Sequence, residues 1–209
     1  MHAVLMILLA LITTPAVDHS GLRLAGERIR FDSVLQPQFT ENQIRNTSDA
    51  TRAGLSKFAS TEYGQRLIRR FSSSEYEIVV TEDADESGTG RAPQPGIATL
   101  AAASDRAKVK SYDLILNPTA FRMPKGMTAL PWHEPASAAD VMAAAWAGEM
   151  LHIDFYSKGI SLPHHQRTDF QEEWQILARE LGFPALTHDD GEGYVRSTRR
   201  LIVIRSRGE

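Results

Sequence analysis

Two polar side chains stand where the pattern calls for apolar ones. Residues 137–158 read as one helix. Ser137 with Asp140 makes a capping-box-like start, and Gly159 is a natural stop. At 100° per residue, one face collects Ala138, Met142, Ala145, Trp146, Glu149, His152, Ile153 and Tyr156, and Asp140, Asp154 and Lys158 fall opposite. Glu149 and His152 therefore sit one turn apart inside an apolar stripe. A carboxylate there must be paired or bound to a cation, because burying it alone is costly. One outcome is a satisfied Glu–His hydrogen bond that fixes packing, and the other is a functional site. Five of the seven histidines lie after residue 132: His133, His152, His164, His165 and His188. The chain has no cysteine, which excludes disulfides, thiolate catalysis and Cys-ligated metal, so a metal would need His and carboxylate ligands.

A second helix is expected from Thr168 to Leu181, capped by Thr168 or Asp169, with Phe170, Trp174, Leu177 and Leu181 as its buried stripe. Glu173 flanks that stripe and can reach inward, whereas Glu172 points away. A rim carboxylate paired with arginine is the competing reading for Glu173. Between the helices runs Ser161-Leu-Pro-His-His, a connection long enough to fold back over the first helix or simply to expose both histidines to solvent. His133 falls in the proline-flanked WHEP segment and reads as a loop residue. His188, beside Asp189 and Asp190, reads as part of an acidic surface turn.

The sequence Ala-Gly-Glu-Met-Leu-His at 147–152, followed about twenty residues later by Glu172-Glu173 on another helix, resembles the gluzincin-type zinc metallopeptidases. The likeness is nearest to small bacterial effector-type members and spans roughly residues 60–182. It includes a helix with a buried glycine (Tyr63-Gly64) and a strand ending in Asn117-Pro118 ahead of the zinc helix. Such enzymes carry HExxH and a downstream Glu. The resemblance implies Glu149 as general base, His152 and Glu173 as zinc ligands, and a protein or peptide as substrate or binding partner. The chain departs from the motif at Gly148, where the first zinc-binding His would stand. Two ligands hold zinc weakly, so a third would come from His164 or His165. Three readings follow: a divergent zinc hydrolase, a zincin-like pseudoenzyme without metal that binds or regulates, or a secreted or envelope protein unrelated to peptidases.

The elements that must position these residues are those of an α+β domain. Strands are expected at Ile29–Leu35, Glu75–Thr81, Ser111–Leu116 and Leu201–Ile204. Helical stretches are expected within Glu41–Phe58 and over Glu62–Phe71. Residues 82–109, rich in Asp, Gly, Pro and Ala, read as a long loop or β-excursion, and residues 118–136 with four prolines as irregular. The expectation is a single zincin-like domain over 17–209, with a small mixed sheet and two helices of the C-terminal half forming the site.

Residues 3–12 form a ten-residue apolar run, too short for a bilayer span of about 20. Thr14, Pro15 and Ala16 suit a signal-peptidase site, although Met1-His2 lacks the usual basic residue. Residues 1–16 are thus a signal peptide or a buried apolar segment. The address is secreted or periplasmic in the first case and cytoplasmic in the second. With 209 residues, a net charge of −3 and 42% hydrophobic residues, the composition is globular and gives no global drive toward nucleic acid or an anionic membrane. Residues 196–209 carry five Arg and one Glu, while Glu82, Asp83, Asp85 and Glu86 cluster elsewhere. Both read as solvated surface or as a partner patch. No phosphate loop or nucleophile elbow is present.

Overall fold

The computed structural model describes residues 21–83, 96–100, 110–119, 137–160 and 166–182. The fold is α+β, as the element pattern predicts. In chain order come β1 (Gly21–Leu24), β2 (Glu27–Arg28), β3 (Arg30–Phe31), β4 (Pro37–Gln38), α1 (Glu41–Asn46), α2 (Asp49–Ser60), α3 (Glu62–Ser72), β5 (Glu77–Glu82), β6 (Gly96–Leu100), β7 (Ser111–Leu116), α4 (Ala138–Ser157) and α5 (Thr168–Glu180).

Five strands form a mixed sheet in the order β2-β1-β5-β7-β6. The central β1, β5 and β7 run parallel, with Leu22 opposite Ile78 and Ile78 opposite Tyr112. The flanking β2 and β6 run antiparallel to their neighbours. Alternation decides which face is covered. Leu22, Leu24, Ile78, Val80, Tyr112, Leu114 and Leu116 are buried in one core with residues of α2, α3, α4 and α5. β6 realises the β-excursion expected within 82–109, and β3 and β4 form a separate two-stranded ribbon.

Local chemistry sets the helix starts. Thr40 and Gln43 cap α1 reciprocally. Ser48 caps α2, and its N–H and hydroxyl both donate to the Glu82 carboxylate at the end of β5. Thr61 closes α2 and opens α3, and that corner requires Gly64. A Cβ there would lie 2.1 Å from the Phe58 carbonyl oxygen. Gly54 likewise lets α2 press onto α4, since a Cβ would lie 2.5 Å from Met142 Cβ. Trp146 Nε1 donates to the Thr51 carbonyl at 3.1 Å across the same contact.

Three local expectations are corrected. The strand at Ile29–Leu35 is cut to Arg30–Phe31, because Asp32 closes a turn by accepting from Val34 and Gln36 N–H, and Leu35 takes a φ of 60°. The residue capping α5 is Arg167, which offers no side-chain acceptor. Asp169 instead forms a two-point ion pair with Arg167, at 3.0 and 2.8 Å. Asp154 does not face outward but is buried, bonded to Arg70 of α3 and to Lys158. The 1–16 segment, His133, His164, His165, His188 and Leu201–Ile204 lie outside the described residues. Among the described residues no helix is long and apolar enough to cross a membrane.

Candidate functional site

The start and stop of α4 follow the local signals. Ser137 and Asp140 form the capping box, and Gly159 follows the helix with a φ of 78°. Burial pulls the Asp140 carboxyl toward its neutral form. Hydrogen bonds from Lys57 and Ser137 outweigh it and hold the pKa below the ordinary value. Between the ends the helix is not amphipathic in place: every residue from Val141 to Phe155 is buried. The sheet lies on one side, α2 and α3 contribute others, and α5 closes another. The apolar stripe read from the sequence is thus only part of the buried surface, and polar side chains on several faces of α4 need partners.

Glu149 and His152 are 9% and 7% exposed, and both are engaged by partners. The imidazole of His152 lies against the Phe170 ring of α5, with centroids 5.2 Å apart and planes tilted by 36°. Phe155, one turn further along α4, meets the same Phe170 edge-on at 5.0 Å. Phe170 therefore seats α5 on the part of α4 that carries His152. Gly148, where the zinc-helix motif would need a histidine, is buried in the same stretch.

On α5 the stripe falls as expected. Phe170, Trp174, Leu177 and Leu181 are buried. Glu173 is half-buried while Glu172 is exposed. The Glu173 carboxylate makes no hydrogen bond among the described residues. Its one charged contact there is Lys158 Nζ at 4.0 Å, and Lys158 is held more closely by Asp154, at 2.5 Å. Burial raises the Glu173 pKa above the ordinary carboxylate value, so the distant ammonium does not offset the lost hydration.

The structure thus places Glu149 and His152 on one helix and Glu173 on another, the two helices meeting where Phe170 packs against His152 and Phe155. Among the described residues no three His, Asp or Glu side chains gather as a metal-holding group. In kind the donors suit zinc, one imidazole with carboxylates. In number the described part falls short. The Arg70–Asp154–Lys158 network beside Glu173 escaped the sequence reading. The Asp154 and Lys158 spacing of four was its available signal, whereas Arg70 lies too far away in sequence to be paired by inspection. Compared with known protein families, with curated proteins and with solved structures, the chain matches none of them.

Proposed function

We propose that the chain is a divergent zincin-like domain that hydrolyses protein or peptide substrates with zinc. The observation that carries this reading is Glu173. It is a half-buried carboxylate with burial-raised pKa and no hydrogen bond among the described residues, on the helix whose Phe170 packs on His152. A carboxylate in that state is stabilised by a cation, and the buried imidazole on the facing helix is a second ligand of the right chemistry. His152 and Glu173 would hold the ion, with His164 or His165 as the third ligand in place of the missing histidine at Gly148. Bound zinc would supply Lewis acidity to a substrate carbonyl and to water. Glu149, one turn before His152, would accept the proton of the attacking water and pass it to the leaving amine. Residual burial of both side chains keeps bulk water from competing for that proton.

A second reading, a metal-free pseudoenzyme serving as a binding or regulatory module, is favoured by Gly148 and by the lack of a three-ligand group among the described residues. Metal analysis of protein purified without chelator, with a peptide-hydrolysis assay on the same sample, separates the two. Stoichiometric zinc with turnover supports the hydrolase. Metal-free protein that gains neither zinc nor activity on titration supports the pseudoenzyme.

A further inference from the structure

Helix α5 is secured by fewer local devices than the helices it lies on. Side chains cap α1, α2, α3 and α4, whereas Arg167 at the start of α5 offers no acceptor. The Glu173 carboxylate in its middle reaches Lys158 only at 4.0 Å. At the far end, Glu180 Oε2 accepts the N–H of Tyr63, in the first turn of α3, at 2.9 Å. Glu62 repels that carboxylate and Arg66 attracts it, so the contact is held between opposing charges. Glu180 is exposed, and letting go returns it to water without stranding a buried charge. The α3 side of the contact is fixed. Tyr63 is buried, with the Arg66 guanidinium 4.1 Å from its ring centre, and Gly64 sits in the close corner against Phe58. What α5 covers is the part of α4 that carries His152. Phe170 lies 5.2 Å from the imidazole and 5.0 Å from the Phe155 ring.

We propose that α5 is a lid on α4: it opens as a unit, released where Glu180 clasps α3, and lifts Phe170 from His152. The inference holds whether or not the chain binds a metal, because it follows from burial. His152 is 7% exposed, so nothing from solvent meets the imidazole on the face that Phe170 covers until α5 moves. Opening is rare in the free chain, since it brings the buried Phe170, Trp174 and Leu177 into water. Weakening the Glu180 clasp shifts the balance toward the open form, and relieving its repulsion from Glu62 shifts it back.

The test is native-state hydrogen exchange of the full chain, read at the Leu177 and Ala178 amides of α5 and the Val80 and Leu114 amides of the sheet. In wild type the α5 amides should exchange faster than the sheet amides and with a smaller dependence on urea. Glu180→Ala should speed α5 exchange about fivefold, the worth of one hydrogen bond to a charged group at the surface. Glu62→Gln should slow it. Ile78→Val, in the sheet, should speed exchange at Val80 and Leu114 and leave α5 unchanged, because the sheet stays intact when only the lid opens. If Ile78→Val speeds α5 as much as the sheet, α5 opens only with the whole fold and the inference is overturned. No change at α5 in Glu180→Ala overturns it as well. Modification of His152 by diethyl pyrocarbonate, located by peptide mass mapping, gives a second reading. Its rate should rise in Glu180→Ala by the same factor as α5 exchange. A constant rate beside faster α5 exchange would mean that the moving helix does not uncover His152, which also overturns the inference.

Discussion

The imidazole of His152 and the ring of Phe170 lie 5.2 Å apart, each on a different helix, with both residues buried. This contact joins the helix that carries Glu149 and His152 to the helix that carries Glu173, so the candidate site is only as well defined as the seating of Phe170. Phe170→Ala should destabilise the fold by about 3–5 kcal/mol, as for other buried Phe truncations. It should also loosen His152, seen as a loss of chemical-shift dispersion at its ring protons. Unchanged stability in chemical denaturation would mean α5 is not anchored through this ring.

His152→Ala and Glu149→Gln should behave differently. On the proposed zinc-hydrolase reading, removing the His152 ligand should abolish zinc binding, whereas amidating Glu149 as the base should preserve binding and remove turnover. Metal content and peptide hydrolysis, measured on the same preparations, check this. Equal metal loss in both variants would make Glu149 a ligand rather than a base.

On the proposed zincin-like reading, Gly148→His supplies a histidine at the spacing that a zinc helix uses. Because the proposed site already takes His164 or His165 as its third ligand, calorimetric titration should show little gain over a zinc-binding wild type, whereas a large gain would mean that His152 and Glu173 alone hold the ion and that the new ring completes the set. The position is buried, so the added ring should cost about 1–3 kcal/mol of stability from overpacking. A folded variant that binds zinc no better than a non-binding wild type would remove the zincin geometry from consideration.

The two glycines at 64 and 159 should respond to alanine for different reasons. At Gly64 the new Cβ would meet the Phe58 carbonyl at 2.1 Å, and backbone cannot step aside as a side chain can. A loss of about 3 kcal/mol is expected. At Gly159 no atom of the described residues lies within 4 Å of the Cβ, but φ is 78°. The left-handed conformation alone should cost about 1 kcal/mol. Urea midpoints of the two variants give the comparison, and equal losses would contradict it.

Glu173 and Asp140 predict opposite pH behaviour. Burial raises the Glu173 pKa. The fold therefore prefers its protonated form, a contribution present below the unfolded carboxylate pKa and lost as pH rises through the folded value. In metal-free protein, Glu173→Gln should stabilise near neutral pH, and the gain should vanish in acid. Asp140 is desolvated too, but Lys57 and Ser137 hold its pKa down. Its contribution is present above the unfolded pKa and is lost as pH falls through the folded one. Asp140→Asn should therefore destabilise near neutral pH and matter little in strong acid. Thermal unfolding of both variants across pH decides the signs.

What the sequence determined by itself was local. Ser137, Asp140 and Gly159 mark the ends of α4 because capping and positive φ involve residues within one turn of each other. The α5 periodicity separates Glu173 from Glu172 because side-chain direction on a helix follows from spacing. The parallel strands Glu77–Glu82 and Ser111–Leu116 were legible as β-branched and aromatic runs. The tertiary structure decided everything that depends on partners distant in the chain. Asp154 looked solvent-facing until Arg70 of α3 was brought to it, because an ion pair can bury a carboxylate that periodicity alone assigns to water. The burial of α4 on all sides needed the sheet, α2, α3 and α5 around it at once. Lys158 came to stand between Asp154 and Glu173 only because Phe170 docked α5 on α4. The hydrophobic pattern names which faces are buried, but the pairing of the charges among them is settled only when those faces meet.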